Sequence, residues 1–169
     1  MHTLLSGLAR LPKNSRSLNV VGSLNVNAHY VRAVRRQIEL AGLVQVALLG
    51  AVSDERLSEY YAQSHVLAVP SSHEGFGIVY LEGMRFGLPS IASSDGGARE
   101  LIAHGQEGFL VAPGDIEAIT HHLNELNENR ETLIQMSLAA RRRHAAHPTW
   151  AESSESIREF LVKALDEKL

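Results

Sequence analysis

Short apolar runs alternate with longer segments of helical periodicity along the 169-residue chain. The apolar runs have the length and residue types of buried strands, and they span residues 18–22, 44–50, 66–70, 88–92 and 108–111. The segments between them repeat apolar residues at helical spacing, and two further helices are predicted at about 130–145 and 150–165. This order predicts an α/β fold, a Rossmann-like parallel sheet with helices on both faces.

Polar turn residues mark the starts of several predicted helices. Asp54 is expected to cap a helix that runs through Tyr61, and residues 95–97 precede another short helix. Residues 113–115, Pro-Gly-Asp, are expected to start a helix that ends near Leu126. The only tryptophan, Trp150, is expected to pack in the core or between helices.

Composition narrows the classes of protein to which the chain can belong. A single domain of 169 residues with 44% hydrophobic content can bury a substantial core. The net charge of -3 gives no basic footprint for nucleic acid, and the one basic run, residues 141–143, is expected to be a solvated last turn of a helix. No apolar run is long enough to span a membrane, so a cytoplasmic location is expected.

The sequence gives no metal-ligand pattern. It has no cysteine, and the pairs His121 with His122 and His144 with His147 are predicted to be surface residues without carboxylate partners. There is no Asp-x-Asp pair to hold a divalent cation. We therefore expect no metal and no cofactor.

Candidate chemistry concentrates in residues 71–84, directly after the apolar run 66–70. A turn at the carboxyl end of a buried parallel strand is where α/β folds bind ligands. Gly75 and Gly77 allow the main chain to approach a ligand, and the free N–H groups of a helix that begins near Gly77 suit an anion such as a diphosphate. Glu74 and Glu82 stand eight residues apart around this turn, and a carboxylate accepts the two hydrogen bonds of a vicinal diol.

The structural alternative is that Glu74 only caps the helix dipole and that Glu82 is a solvated helix residue. The neighbours of Glu82 argue against this alternative, because they are apolar nearly all round the predicted helix and make an idle charge costly. These neighbours are Ile78, Val79, Leu81, Met84 and Phe86. We therefore favour a binding role for both carboxylates.

The order of these motifs resembles a known family. Glu74-Gly75-Phe76-Gly77 is followed by Glu82, and then by residues 87–92, 96–97 and 100–101. Together they are similar to the nucleotide-sugar-binding half of the GT-B retaining glycosyltransferases of family 4. The similarity extends to residues 49–55 upstream and to 108–115 downstream, so that it covers nearly the whole chain.

The resemblance assigns the sugar and its carboxylate to the glycine turn. It implies that Glu74 is the catalytic residue, which orients the hydroxyls of the transferred sugar or stabilises positive charge at the anomeric carbon. It implies that the backbone of Gly75, Phe76 and Gly77 holds the sugar. Phe76 is equally compatible with a packing role.

The resemblance assigns the nucleotide to the following helix and to an earlier loop. Ile78 and Val79 would offer amide N–H groups to the diphosphate, and Glu82 would accept hydrogen bonds from the ribose. Val52 and the loop to Asp54 would contact the base, although Val52 can simply end a strand and Asp54 can simply cap a helix.

The chain departs from the family at its beginning. Residues 1–11 are predicted to be the tail of a helix whose preceding strand lies upstream, and the Gly-Arg turn and Lys-Gly pair that the family places there are not in the sequence. Residues 1–169 are therefore expected to be a single donor-binding domain, truncated at its N-terminal edge and without the N-terminal acceptor domain. Such a chain is expected to be inactive alone.

The expected partner is a nucleotide diphosphate sugar linked to UDP, GDP or ADP. The acceptor stays open among a glycan, a lipid and a small molecule, and the missing domain could bring the protein to the inner face of the membrane. Two other interpretations remain open. One is a GT-B-like nucleotide-sugar epimerase, and the other is a non-catalytic nucleotide-binding module.

Overall fold

The computed structural model describes residues 1–71 and 75–166. Each of the five predicted strands is observed there, with bounds within two residues of those predicted: β1 Leu18–Val21, β2 Val46–Gly50, β3 Leu67–Val69, β4 Ser90–Ser93 and β5 Gly108–Val111. The helices are α1 His2–Leu8, α2 Ala28–Leu40, α3 Asp54–Gln63, α4 Ile78–Arg85, α5 Ala98–Leu101, α6 Ile116–Glu128, α7 Arg130–Ala145 and α8 Trp150–Asp166, with a 3₁₀ turn at Lys13–Ser15.

The strands form two parallel sheets rather than the single sheet predicted. β1 pairs with β2, and β4 lies between β3 and β5 in the second sheet. The α/β class and the parallel pairing are confirmed. The continuity of the sheet was predicted wrongly, because no hydrogen-bonded ladder joins β1 to β3 in the described part of the chain.

A groove of about 760 Å³ separates the two sheets, and every residue of β1 and β3 lines it. The two strands nevertheless belong to one packed body. Leu18 of β1 and Ala68 of β3 both pack against the cluster that contains Leu4 of α1 and Ile91 of β4. The groove is therefore an internal gap between neighbouring strands.

The helices close the outer faces of the sheets. Tyr80 and Met84 of α4 are fully buried in a cluster with residues of α5 and with Ala140 of α7. Arg143 is exposed in the last turn of α7, as predicted for the basic run. It also joins α7 to the end of α5, because its guanidinium donates to the carbonyls of Glu100 at 2.6 Å and Leu101 at 3.3 Å.

The packing of Trp150 was predicted wrongly from the sequence. Its side chain is 87% exposed at the start of α8, so it packs neither in the core nor between helices. The other large apolar residues of this helix are between 49% and 70% exposed: Ile157, Phe160, Leu161, Val162 and Leu165. The helix is thus amphipathic with its apolar face uncovered.

Caps fix two of the helix starts that border the sheet edge. Asp115 caps α6 as predicted, since its carboxylate accepts from the Ala118 N–H at 2.9 Å. The cap of α3 is Ser53 and not Asp54, because the Ser53 hydroxyl accepts from the Arg56 N–H. Asp54 is the first residue of that helix, where its charge favours the helix dipole.

Candidate functional site

The start of α4 has the geometry that the glycine turn predicted. Gly77 is the N-cap, and its φ of 83° lies in the left-handed region that favours glycine. Its carbonyl accepts from the Tyr80 N–H at 2.9 Å. Ile78 and Val79 follow in the first turn, where N–H groups have no acceptor within the helix. This end of α4 follows β3 along the chain and can bind an anion.

A second glycine turn, at Gly97, is hydrogen-bonded to the first. The Gly97 N–H donates to the Gly75 carbonyl at 3.0 Å. A Cβ at Gly97 would lie 2.1 Å from that same oxygen and 2.9 Å from the Phe76 Cα, so the two turns can touch only if residue 97 has no side chain. The position of Gly75 and Phe76 therefore depends on the turn between β4 and α5.

The Phe76 side chain is 47% exposed. Its ring meets the His147 ring edge to face, with centroids 6.4 Å apart. The phenyl group thus contacts the segment after α7 but keeps a free surface. The predicted choice between a packing role and a sugar contact stays open at this residue.

Glu82 is exposed in the second turn of α4, and it also lines the groove. Apolar surroundings were therefore predicted wrongly for this charge, because Glu82 is exposed and Ile78, one turn earlier, is also exposed. The Tyr61 hydroxyl donates to Glu82 Oε2 at 3.1 Å. Burial, and then the charge of Glu82, raises the pKa of Tyr61, so this hydroxyl stays a donor at neutral pH.

Tyr61 was not identified from the sequence. It lies in α3, 21 residues before Glu82, and the apolar periodicity of α3 explains a tyrosine there without any site. Its side chain packs against Phe86 with ring centroids 5.5 Å apart, which fixes the ring between the two helices. Tyr61 therefore orients the carboxylate of Glu82.

Of the remaining predicted site residues, two are described by the structure and one is not. Val52 is half-buried just after β2, and Asp54 is exposed at the first position of α3. The same helix carries Tyr61, which connects this loop to Glu82 through a side-chain contact. Glu74, predicted to be catalytic, lies outside the described residues.

One histidine cluster contradicts the sequence analysis. His122 is bonded to the Glu125 carboxylate, with Nδ1 3.2 Å from Oε2, so this histidine does have a carboxylate partner. Ligand atoms of His121, His122 and Glu125 lie within 4.8 Å of one another. The His122 ring stacks on Phe109 at 3.8 Å, and burial lowers its pKa. A hydrogen bond and ring packing account for this arrangement, and the absence of a metal stays a prediction.

Membrane insertion finds no support in the helices that the structure describes. Over residues 1–71 and 75–166, none of them combines the length and the hydrophobicity needed to cross a bilayer.

Comparison with known proteins places the chain among glycosyltransferases. The family described as glycosyl transferases group 1 matches residues 1–143. A sulfoquinovosyl transferase of Arabidopsis thaliana is 37% identical over 112 residues, which are 64% of this chain and 22% of that protein. A D-inositol 3-phosphate glycosyltransferase of Corynebacterium diphtheriae is 33% identical over 129 residues, 76% of this chain and 29% of that protein.

The fold has a close counterpart among solved structures. HepE from Anabaena, crystallised with UDP and glucose, superposes with a TM-score of 0.86 at 29% identity over 96% of this chain and 44% of that chain. The same protein has been crystallised with UDP-glucose. The chain thus spans about a quarter of the curated relatives and under half of this structure. The expected fold class, one half of a GT-B architecture, is confirmed.

Proposed function

Because the chain belongs to the glycosyl transferases group 1 family, we propose that it is the donor-binding half of a retaining, family 4 glycosyltransferase. One observation carries the proposal. The anion-binding start of α4 and the Glu82 carboxylate lie one helical turn apart on the same helix, at the end of a parallel strand. A nucleoside diphosphate needs this pair of groups, since it carries an anion and a ribose diol at a short distance.

The diphosphate is bound at the first turn of α4 in this proposal. The N–H groups of Ile78 and Val79 donate to its oxygens, and the helix dipole favours its charge. Glu82 accepts hydrogen bonds from the ribose hydroxyls, while Tyr61 holds one of its oxygens in place. Helix amides neutralise the phosphate here, so donor binding is proposed to be independent of metal ions.

The sugar occupies the glycine turn. The backbone of Gly75, Phe76 and Gly77 contacts it, and Glu74 faces the anomeric carbon, where a carboxylate stabilises developing positive charge. Val52 and Asp54 contact the base. The complexes of HepE with UDP and UDP-glucose support a uridine donor first, with GDP-linked and ADP-linked sugars as the other candidates.

The acceptor is proposed to be bound by a further domain that precedes this one in a longer protein. The relatives support this, because the chain spans only 22% and 29% of the curated proteins described above. The uncovered apolar face of α8, with Phe160 at 70% and Leu165 at 66% exposed, is a surface that such a domain can bury. Transfer by residues 1–169 alone is not expected, because the acceptor must be held against the sugar in a water-poor cleft. A cytoplasmic location, with contact to the membrane through the other domain, stays a prediction.

Calorimetric titration of the chain with UDP, GDP and ADP tests the nucleotide site. Glu82→Gln removes the charge and keeps the size, and it should weaken UDP by about 1.5 to 3 kcal/mol, the range for charged hydrogen bonds. Glu39→Gln is the matched control, since Glu39 is an exposed glutamate near the end of α2. Equal affinity of the two variants would refute the ribose role, and loss of binding in EDTA would refute metal independence.

A product assay separates the enzyme from the binding module. Glu74→Gln in the full-length protein should leave UDP affinity unchanged and lower the rate of sugar transfer. Retention is checked by the anomeric configuration of the product in its NMR spectrum. Nucleotide binding without any transfer by the full-length protein would favour the non-catalytic module, and a change in the sugar of the donor itself would favour the epimerase.

A further inference from the structure

The glycine turn is in contact with two other segments of the chain. The Gly97 N–H donates to the Gly75 carbonyl at 3.0 Å, and the Phe76 ring meets the His147 ring edge to face, with 6.4 Å between centroids. Rings at this separation and angle attract each other. Gly75 has little packing of its own, since a Cβ there would meet no described atom within 4 Å. The position of the turn therefore depends on these two contacts.

His147 is itself held in place. Its backbone N–H donates to the His144 carbonyl at 3.1 Å, which continues the end of α7. Its ring nitrogen Nδ1 lies 3.1 Å from the Pro148 carbonyl oxygen, and because a carbonyl can only accept, Nδ1 carries the proton and donates. The residue is half-buried. His147 thus presents a fixed ring to Phe76 rather than a freely rotating surface side chain.

The two contacts of the glycine turn lead back to one pair of helices. Gly97 is the N-cap of α5, and the Arg143 guanidinium binds carbonyls at the end of the same helix. Arg143 lies in the last turn of α7, four residues before His147. Gly75 and Phe76 are thereby connected, through α5 and α7, in a closed circuit of contacts. Opening this circuit at His147 restores conformational freedom to the turn, while the bond from Gly97 stays.

We propose that His147 is a positioning residue for the donor sugar, which acts by fixing the Phe76 ring and so the backbone of residues 75–77 against the sugar. The inference rests on the proposed function, because that backbone is the proposed sugar contact. The nucleotide is proposed to bind elsewhere, at the first turn of α4 and at Glu82. The hydrogen bonds and the ring contact of His147 do not involve those groups in the described part of the chain. His147 should therefore affect sugar binding and spare nucleotide binding.

Titration calorimetry of the chain with UDP and with UDP-glucose tests this separation. His147→Ala should weaken UDP-glucose binding about threefold to tenfold, the effect of one aromatic pair, and leave UDP affinity unchanged. His147→Phe keeps a ring edge for Phe76 and should restore the affinity for UDP-glucose. His144→Ala is the matched control, since His144 is a half-buried histidine three residues earlier and its ring is not the one that meets Phe76.

A double-substitution cycle tests whether His147 acts through Phe76. Phe76→Ala alone should weaken UDP-glucose binding at least as much as His147→Ala does. In the Phe76→Ala background, His147→Ala should then change the affinity by less than about twofold, because the ring that it holds is gone. Losses that multiply in the double variant would show that the two side chains act independently and would overturn the assignment.

Each remaining outcome is decisive. Equal weakening of UDP and UDP-glucose by His147→Ala would show that His147 only stabilises the fold. A His147→Phe variant as weak as His147→Ala would show that no ring contact is involved. Unchanged UDP-glucose affinity in His147→Ala, or binding of UDP without UDP-glucose, would refute the inference alone. Failure of the unaltered chain to bind either compound would refute the proposed function and this inference with it.

Discussion

Strands β1 and β4 show that neighbours, and not composition, decide how deeply a strand is buried. β4 has the sequence Ser-Ile-Ala-Ser, yet all four of its residues are buried. β1 has the more apolar sequence Leu-Asn-Val-Val, yet none of its residues is buried. β4 is paired on both sides, by β3 and β5, whereas β1 is paired on one side and faces the groove on the other.

This contrast predicts that substitutions around β4 destabilise the protein more than substitutions around β1. Packing around β4 leaves no room for an added atom, and a close-packed protein interior relaxes little around one. Around β1 and at the α3–α4 contact, side chains border the groove or solvent and can relax. Paired substitutions, one in each region, measure this contrast.

The largest effect is expected from two glycines with nearly the same backbone conformation. Gly108 in β5 has φ 157°, and Gly22 after β1 has φ 150°. A Cβ at Gly108 would lie 2.0 Å from the Ser90 carbonyl oxygen in β4, whereas one at Gly22 meets no described atom within 4 Å. Gly108→Ala should lower the free energy of unfolding by about 4 kcal/mol or more, and Gly22→Ala by about 1 kcal/mol. Urea unfolding measures both, and similar losses would contradict the contrast.

The next largest loss of stability is expected at the contact between the two glycine turns. Gly97→Ala places a Cβ 2.1 Å from the Gly75 carbonyl oxygen, so the turns must separate at a cost of about 2 to 3 kcal/mol in unfolding free energy. A Cβ at Gly75 meets nothing within 4 Å in the described part of the chain, and Gly75→Ala should change stability by under about 0.5 kcal/mol. The Gly97 variant should also lose UDP affinity. A stable Gly97→Ala protein would show that the turns are not in contact in solution.

Two tyrosine hydroxyls give a third contrast, between a buried and an exposed acceptor. Tyr80 is fully buried and donates to the Val69 carbonyl of β3 at 3.0 Å, so Tyr80→Phe should cost about 1 to 2 kcal/mol in unfolding free energy. Tyr61 donates to the exposed Glu82, which water can solvate instead. Tyr61→Phe should cost about 0.5 kcal/mol or less in stability while weakening UDP binding. Thermal unfolding and titration calorimetry separate the two effects, and the reverse order of stabilities would contradict this assignment.

The smallest effect is a pH dependence at His122 of α6, whose ring stacks on Phe109 of β5. Burial lowers the pKa of His122, with Glu125 opposing the shift and His121 and His104 adding to it. On acidification the unfolded chain, whose histidine pKa is about 6.5, takes up the proton first. Stability contributed by neutral His122 is therefore full above about pH 6.5 and falls as the pH drops towards the lower pKa of the folded state.

Substitution of the two adjacent histidines checks this assignment. His122→Gln should flatten the loss of unfolding free energy between about pH 7.5 and 5.5. His121→Gln should change the slope less, because the His121 side chain is 74% exposed and adds only a minor part of the His122 shift. An unaltered slope in the His122 variant would show that another group causes it.

Much of the fold could be predicted because its signals are local. Apolar runs located all five strands, and the bounds predicted for β5 and for α7 match those observed. The glycine turn before α4 was predicted from residue types alone, since only glycine readily adopts the φ of Gly77. Glu82 lies in α4 as predicted, its exposure contradicts the expectation of apolar surroundings, and its binding role stays a prediction.

The contacts that the sequence did not predict join distant segments. The partner of Glu82 is Tyr61 of α3, and Arg143 binds the end of α5, neither of which a local pattern records. Trp150 was expected to pack in the core or between helices, but it is 87% exposed within the part of the chain that the structure describes. Each of these outcomes depends on which elements become neighbours.

Residue types alone specify the order of strands and helices, their parallel pairing and the glycine-rich start of α4, because hydrophobic periodicity and backbone sterics act over a few residues. The division into two sheets, the groove between β1 and β3, and the contact of Tyr61 with Glu82 arise only in the packed fold. Hydrogen bonding at a strand edge depends on what lies beside it, and the residues of that strand are the same whether a neighbour is present or not.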